Sequence, residues 1–433
     1  MRPAVTAFLI LSITACGGPA RLPLEAGIGP NPRLPPPEQA LIPAVKVFRA
    51  SGWPAGMMPA AAPGLKINAF VTGLDHPRWL EVLPNGDVLV AETAAPGTDP
   101  GPPGLKGMFF KSFLKKAGGG VPSANRIALV RDADGDGVAE FHSTLLSGLR
   151  SPFGMALVGR ELFVANADSL IAVPFEVGVT SVSATPRVVA ALPAGRNHHW
   201  TKSLAASPDG RALYVGVGSN SNVGENGMAI EEGHAAIWRI DPRTGGQSLF
   251  ASGLRNPVGL AFNPWSGALW TAVNERDEIG SDLVPDYITS VRAGAFYGWP
   301  YSYFGQHVDS RVKPPRPDLV ARAIPPDFAL GPHVAAMGLA FSAGQRLGPA
   351  FAHGAFIGEH GSWNRKPASG YRVVFVPFNG AQPSGTPVDV LTGFISGGKA
   401  FGRPVGVAIA RDGSLLVADD VGNTIWRVSA ATP

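Results

Sequence analysis

The chain has 433 residues, with 36 lysines and arginines against 32 aspartates and glutamates, for a formal net charge of +4. An excess this mild carries no nucleic-acid signature and hints at no more than an anionic ligand. The 55 glycines and 42 prolines, with only 16% charged residues, fit many tight turns between short strands, and a single cysteine excludes an internal disulfide.

The N-terminus reads "MRPAVTAFLILSITACGG": one basic residue, Arg2, then an apolar run too short to span a bilayer. It predicts a signal peptide over residues 1–15. Small residues precede Cys16, where cleavage and acylation of a bacterial lipoprotein would fall. Gly17 follows, with no aspartate to favour inner-membrane retention, so the expectation is a periplasmic protein anchored by lipid at the outer membrane. Residues 16–64 are rich in Pro, Ala and Gly ("IGPNPRLPPPEQ", "GMMPAAAPG") and predict an extended tether and lead-in.

From there one phrase returns six times, beginning at Gly73, Gly148, His198, Gly253, His333 and Gly402. Each copy has an alternating apolar strand, a Gly-containing turn and a second strand rich in Leu, Val and Phe, which are hairpin signals. Six diverged copies with variable spacing predict four-stranded blades, and so a six-bladed β-propeller over residues 65–433. A β-sandwich would not need six copies of one hairpin. In a closed ring the repeat openings converge on a central channel, which gathers Arg78, His199, Arg255 with Asn256, His333 and Arg403.

An insertion, "GLKGMFFKSFLKKAGGG" from Gly104 to Gly120, breaks the repeat pattern. Phe109, Phe110, Phe113 and Leu114 fall on one helical face, with Lys111, Lys115 and Lys116 between and after them. Such a helix packs over a blade, or touches a membrane or an electron acceptor. Just beyond it, "DADGDGVAE" sets Asp132, Asp134, Asp136 and Glu140 on a tight loop, oxygen ligands suited to a structural calcium. The position where an EF-hand carries its last acid is Ser143. A solvated acidic turn is the competing reading.

In "GRNHHWTKSL" two histidines adjoin, and repeat register puts His199 at the channel-facing start of the third copy, with His198 a neighbouring contact. A neutral imidazole there accepts a proton from a hydroxyl. Arginines on other copies, Arg255 and Arg403, and the segment "GEHGSWNRKP" with His360, Asn364 and Arg365 would repel one another unless an anion sat among them. A polycarboxylated ligand suits that arrangement, and a phosphorylated one is the alternative.

The motifs "HHWTKSLAASPDG", "GLRNPVGLAFNP", "AGAFYGWPYSY", "GEHGSWNR" and "GRPVGVAIARDG", spread from Gly73 to Val428, resemble the soluble quinoprotein sugar dehydrogenases, in particular the sorbosone dehydrogenase-like branch. The resemblance implies a propeller carrying pyrroloquinoline quinone (PQQ) and calcium. It also implies hydride transfer from a sugar, sugar aldehyde or related alcohol, and a periplasmic electron acceptor such as a cytochrome or quinone. By position, His199 matches the general base, Arg255 and Asn256 match a cofactor-contacting pair, and Arg403 and Arg365 match basic residues that hold the cofactor. Backbone carbonyls at Glu275 and Arg276 match those that bind the cofactor's calcium. Two departures stand out: the carboxylate that orients the histidine in relatives is absent near Gly218 or Ser219, with Glu225 the nearest acid, and a cofactor-touching glutamine has no counterpart near "LRSPFGM". Two other readings of the ring are a calcium-dependent lactonase, which needs acidic and amide ligands on one channel metal, and a non-enzymatic anchored binding propeller.

Overall fold

In the computed structural model, which describes residues 14–101 and 104–431, the six repeats become six antiparallel sheets in chain order. Their opening strands are Pro77–Val82, Met155–Val158, Lys202–Ala206, Asn256–Phe262, Ala336–Phe341 and Pro404–Ile409. Each opening strand packs against the next in sequence, and the sixth packs against the first. The sixth sheet joins the two ends of the chain: Leu65–Thr72 pairs antiparallel with Thr424–Ala430.

The recurrent glycine of the repeat sits where neighbouring opening strands cross. A Cβ on Gly154 would lie 2.3 Å from the Leu204 nitrogen, one on Gly338 2.3 Å from the Val405 carbonyl, and one on Gly406 2.8 Å from the Arg78 carbonyl. No side chain fits at such a crossing, so the motif records the closeness of adjacent sheets. Between sheets the core is apolar, for example Trp79, Phe153, Met155 and Leu162 in one cluster and Phe356, Phe375, Val417 and Trp426 in another.

The Pro-rich lead-in is extended, but it does not stand away from the body as a spacer. Ile28–Gly29 adds to the edge of the fourth sheet beside Phe328–Pro332, and Ala60–Ala61 adds to the fifth beside Val388–Thr392. Arg49–Ala50 runs parallel to Lys399–Ala400, and the Trp53 indole N–H donates to Asp419 at 2.7 Å. Exposed sheet edges offer unpaired backbone groups, and short proline-free stretches of the lead-in pair with them. Residues 1–13 of the expected signal peptide (1–15) and the Cys16 side chain lie outside the described residues, while the Cys16 backbone pairs with Ile42. Among the described residues no helix is long and apolar enough to cross a membrane.

Candidate active site

The loops ahead of the opening strands, and the ends of the strands paired with them, surround a cavity of about 790 Å³. Arg78, His198, Trp200, His360, Arg403 and Asp420 are in its wall. The insertion forms a helix, Gly104–Lys116, and its Lys111 and Leu114 with Gly118–Gly120 form another part of that wall. A Cβ on Gly118 would strike Ala50 at 2.8 Å and Val421 at 3.0 Å, so the insertion is seated between the lead-in and the sixth sheet.

Asp420 is the electrostatic centre of this wall. Its carboxylate accepts from Arg78 Nη1 at 2.5 Å and from His360 Nε2 at 2.9 Å, and lies 3.6 Å from His76 Nε2. Burial opposes its charge, yet His360, His76 and Arg78 together hold the carboxyl well below the usual carboxylate range. Burial pushes His360 down to about 4 in spite of Asp420. Arg403 is buried as well, donating from Nη2 to the Tyr371 hydroxyl at 3.1 Å with its guanidinium 5.1 Å from that ring. Its Nε has no partner, and no ion pair joins Arg403 to a carboxylate among the described residues.

His199 lies beside the wall, edge-on to His198 at 4.7 Å between ring centroids. Its Nδ1 is 2.9 Å from the Ser219 carbonyl and 3.0 Å from the Ser219 hydroxyl, and that hydroxyl already donates to the Ser221 carbonyl at 2.7 Å. Nδ1 therefore carries the proton and donates, which leaves the Nε2 lone pair as the basic site. Burial, then the nearby Arg255 and His198, push His199 well below the ordinary histidine value, so the ring is neutral at neutral pH. The orienting partner is thus a backbone carbonyl. Glu225 does not serve: its carboxylate accepts from the Asn222 and Val223 amides at 3.0 and 2.8 Å. His198 is held by Asp99, with Nδ1 2.6 Å from the carboxylate.

Gly218 binds this group together. A Cβ there would lie 2.4 Å from His199 Cβ and 2.5 Å from Asn256 Oδ1. Asn256 is buried and its Oδ1 has no partner among the described residues. Arg255 donates to the Glu275 carbonyl at 2.6 Å, to Asn222 Oδ1 at 2.9 Å and to Asp277 Oδ2 at 3.1 Å. Asp277 also accepts from Asn364 Nδ2 at 2.7 Å and faces His333 Nδ1 at 3.5 Å. Asn222, Asp277 and Asn364 are the acid-and-amide set that a lactonase metal would need, but the Arg255 guanidinium sits among them.

Three expectations require correction. Arg365 is not in the cavity wall; it lies against Asp282 at 3.7 Å and the Pro367 carbonyl at 2.8 Å, because its loop turns toward the lead-in. His360, on the same segment, is the one that reaches the cavity. The Glu275 carbonyl is taken by Arg255, and a second cation there would meet that guanidinium, so calcium ligation by the Glu275–Arg276 pair does not fit. The Arg276 side chain is buried elsewhere, on the Pro300 and Ser302 carbonyls at 2.8 and 2.6 Å. Finally, the arginines do not all face a shared anion: Arg78 and Arg255 carry protein carboxylates, while among the described residues Arg403 has none.

Asp420, Asp277, Asn222 and Tyr371 went unread in the sequence. A usable signal lay in the residue after the second strand of each repeat, the position of Thr93, Asn166, Gly218, Glu275, His360 and Asp420, of which the last two reach the cavity. The acidic loop is also formed: Asp132, Asp134, Asp136 and Glu140 bring one oxygen each within 4.8 Å of the others, while Asn68 and Arg427 hold the loop at Gly137.

The family model described as TrAA12-like matches residues 124–288 and 320–431, well over half of the chain. An uncharacterized protein of Borreliella burgdorferi is 28% identical over 297 residues, 66% of this chain and 77% of that protein. Aldose sugar dehydrogenase YliI of Escherichia coli is 32% identical over 111 residues, 25% of this chain and 28% of that enzyme. Among solved structures, the iodide structure of the Trichoderma reesei carbohydrate-active enzyme of family AA12 superposes with a TM-score of 0.70 at 19% identity, covering 89% of this chain and 99% of that one. The holo pyranose dehydrogenase PQQ domain of Coprinopsis cinerea gives 0.68 at 20% identity, covering 88% and 100%. At these identities the structures speak for a common β-propeller fold, whereas the family match covers well over half of the chain, including His199, Arg255, His360, Arg403 and Asp420; the chain belongs to the TrAA12-like family.

Proposed function

We propose that this chain is an oxidoreductase that binds PQQ and oxidises a sugar, a sugar aldehyde of the sorbosone type or a related alcohol. The six sheets are then six blades, and the cavity is the mouth of their channel. The names of the Coprinopsis cinerea PQQ domain and of a PQQ-bound aldose sugar dehydrogenase from Streptomyces coelicolor support the reading. The observation that carries it is the cation in the cavity wall, Arg403, which is buried and among the described residues has no carboxylate and no partner for its Nε. Asn256 adds an unpartnered Oδ1 close by His199.

A carboxylated quinone fits these residues. Arg403 would hold a carboxylate through its fork, with Arg78 and the neutral His360 beside it and Asn256 on the reactive side. When bound, the quinone supplies the two-electron acceptor. The protein's own part is positioning and proton transfer. Nε2 of His199 takes the proton from the substrate hydroxyl, and Nδ1–H on the Ser219 carbonyl keeps the ring in the tautomer that allows this. Burial, and then Arg255 fixed by Asn222 and Asp277, keeps the imidazole from being protonated beforehand, and Arg255 stabilises negative charge developing near Asn256. Trp200 and the Gly104–Lys116 helix limit solvent access.

The acidic loop is read as a structural calcium site. Adding calcium to metal-free protein should raise the melting temperature by a few degrees and a chelator should reverse it, with the Asp134→Asn/Asp136→Asn variant insensitive to both. The leader and Cys16 support a lipid-anchored periplasmic enzyme whose electrons pass to a cytochrome or quinone. The deciding experiment titrates PQQ into apoprotein, with and without calcium, follows binding by absorbance, and then follows dye reduction with aldoses and aldehydes. Saturable binding with turnover is expected; no binding overturns the proposal.

A further inference from the structure

We infer that the Gly104–Lys116 helix is a membrane-docking element that lays the cavity-bearing end of the molecule on an anionic phospholipid surface, a role that rests on the lipid-anchored reading only for what Cys16 does. Met108 is 66% exposed and Phe109 61%, and among the described residues only Val188 is as exposed a large apolar side chain. Leu114 is 43% exposed, so the apolar side chains of the insertion are not spent on packing over a blade. Phe109 stacks only on its neighbour Phe113, with ring centroids 6.5 Å apart.

The charge beside them is of one sign. Lys111, Lys115 and Lys116 are exposed on the same helix, and between Asp99 and Asp132 the sequence holds no acidic residue. Large apolar side chains and lysines turned together to solvent suit the boundary between headgroups and acyl chains. The apolar groups enter that boundary while the ammonium groups reach the phosphates. A protein partner would need an apolar pocket and acidic groups matched to this one helix, whereas an anionic bilayer offers both at every point.

Topology sets the expected lipid attachment at the same end. The insertion lies in the loop after the second strand of the first sheet, Val88–Glu92, and the corresponding loops of the fifth and sixth sheets carry His360 and Asp420 of the cavity wall. Two residues beyond Cys16, the Gly18 carbonyl accepts from the Ser281 hydroxyl at 2.8 Å, and the Ala20 N–H donates to the Lys366 carbonyl at 2.6 Å. Ser281 and Lys366 are in the corresponding loops of the fourth and fifth sheets. The lead-in then runs from Ala44, which abuts Gly17, to Ala50, which abuts Gly118 just past the helix; extended, that stretch spans about 20 Å. A tether at Cys16 alone leaves the body free to tilt, and a second contact at the helix fixes which end meets the lipid.

Cys16 is the only cysteine, so the full chain with Cys16→Ser takes one thiol-reactive, polarity-sensitive dye at a chosen place. The dye goes on Phe109→Cys and, for comparison, on Arg211→Cys, in the exposed turn between Lys202–Ala206 and Leu213–Val217 at the other end of the sheets. Both chains keep the leader, so any affinity of its own for lipid is common to them. With vesicles of phosphatidylcholine and phosphatidylglycerol in equal parts, the dye at 109 is expected to shift to the blue and the dye at 211 to stay unshifted. Lys115→Gln with Lys116→Gln should weaken the partitioning read by that shift about fivefold per lysine, roughly 25-fold for the pair, and added salt should weaken it too. All these side chains are exposed, so the variants should melt with the parent chain. An unshifted dye at 109, or an equal shift with phosphatidylcholine alone, overturns the proposal and leaves this face to a protein such as the electron acceptor. The outcome needs neither acylation nor quinone: the mass of the exported wild type decides the lipid anchor, and the PQQ titration decides the oxidoreductase reading.

Discussion

Changing His199 to alanine is expected to lower kcat about 10²- to 10⁴-fold, the usual contribution of a positioned general base, while PQQ binding stays within about twofold of wild type. The separation is expected because the imidazole's contacts are to Ser219 and His198, whereas the buried cations of the cavity wall come from other sheets. Stopped-flow dye reduction read alongside an absorbance titration of the quinone measures both. A variant retaining activity within about tenfold of wild type would remove the proton-transfer role. The pH profile adds a second check. The folded protein lowers the histidine's affinity for a proton, so the base stays competent as pH falls, and the acidic limb of kcat/KM should lie below 6.5, the ordinary histidine value. Ser219→Ala removes only the hydroxyl and leaves the carbonyl acceptor, so its effect should be under about tenfold.

Replacing Asp420 with alanine should be the most damaging single change in the cavity wall. It strips the counterion from Arg78, leaves His360 and His76 facing an uncompensated guanidinium, and does so where all of them are buried or nearly so. Breaking a buried pair from one side costs about 3–5 kcal/mol. In a chain of this size the melting temperature should fall on the order of 10 °C. Quinone affinity should fall with it, since Arg78 and His360 lose their fixed positions. The same cluster sets the acid side of the stability curve. Asp420 is depressed in the fold, so its contribution is present above the ordinary carboxylate value of 3.8 and is lost as pH drops below it. His360, depressed from 6.5 to about 4, adds a loss of stability as pH falls through that interval, because the unfolded chain takes up the proton first. Thermal melts from pH 7.5 to 4 should therefore show a steady decline, shallower in His360→Gln. A flat wild-type profile would contradict this account.

The repeat phrase was legible as hairpins because alternation and turn glycines are local properties, and the register of His199, Arg255 and Arg403 followed from counting within each copy. The recurrent glycine was legible only as a turn signal; its reason, the contact of Gly154 with Leu204 and of Gly338 with Val405, is between sheets. Arg365 shows the opposite limit. It shares a segment with His360, and nothing in "GEHGSWNR" says which of the two turns inward, because that choice rests on a loop packed against Asp282 and the lead-in. The lead-in is a similar case: proline content predicts extension but not destination.

The sequence by itself determined the strand content, the six repeats and the histidine at a repeat opening, since each depends on residues close along the chain. Only the tertiary structure decided what those residues meet. That His199 is oriented by the Ser219 carbonyl, that Asp420 gathers Arg78, His76 and His360, and that Arg403 is left without a carboxylate are facts of charge placement. Electrostatic pairing acts over a few ångströms in space and is indifferent to separation along the chain, so the partner of "GRNHHWTKSL" had to be found by folding rather than by reading.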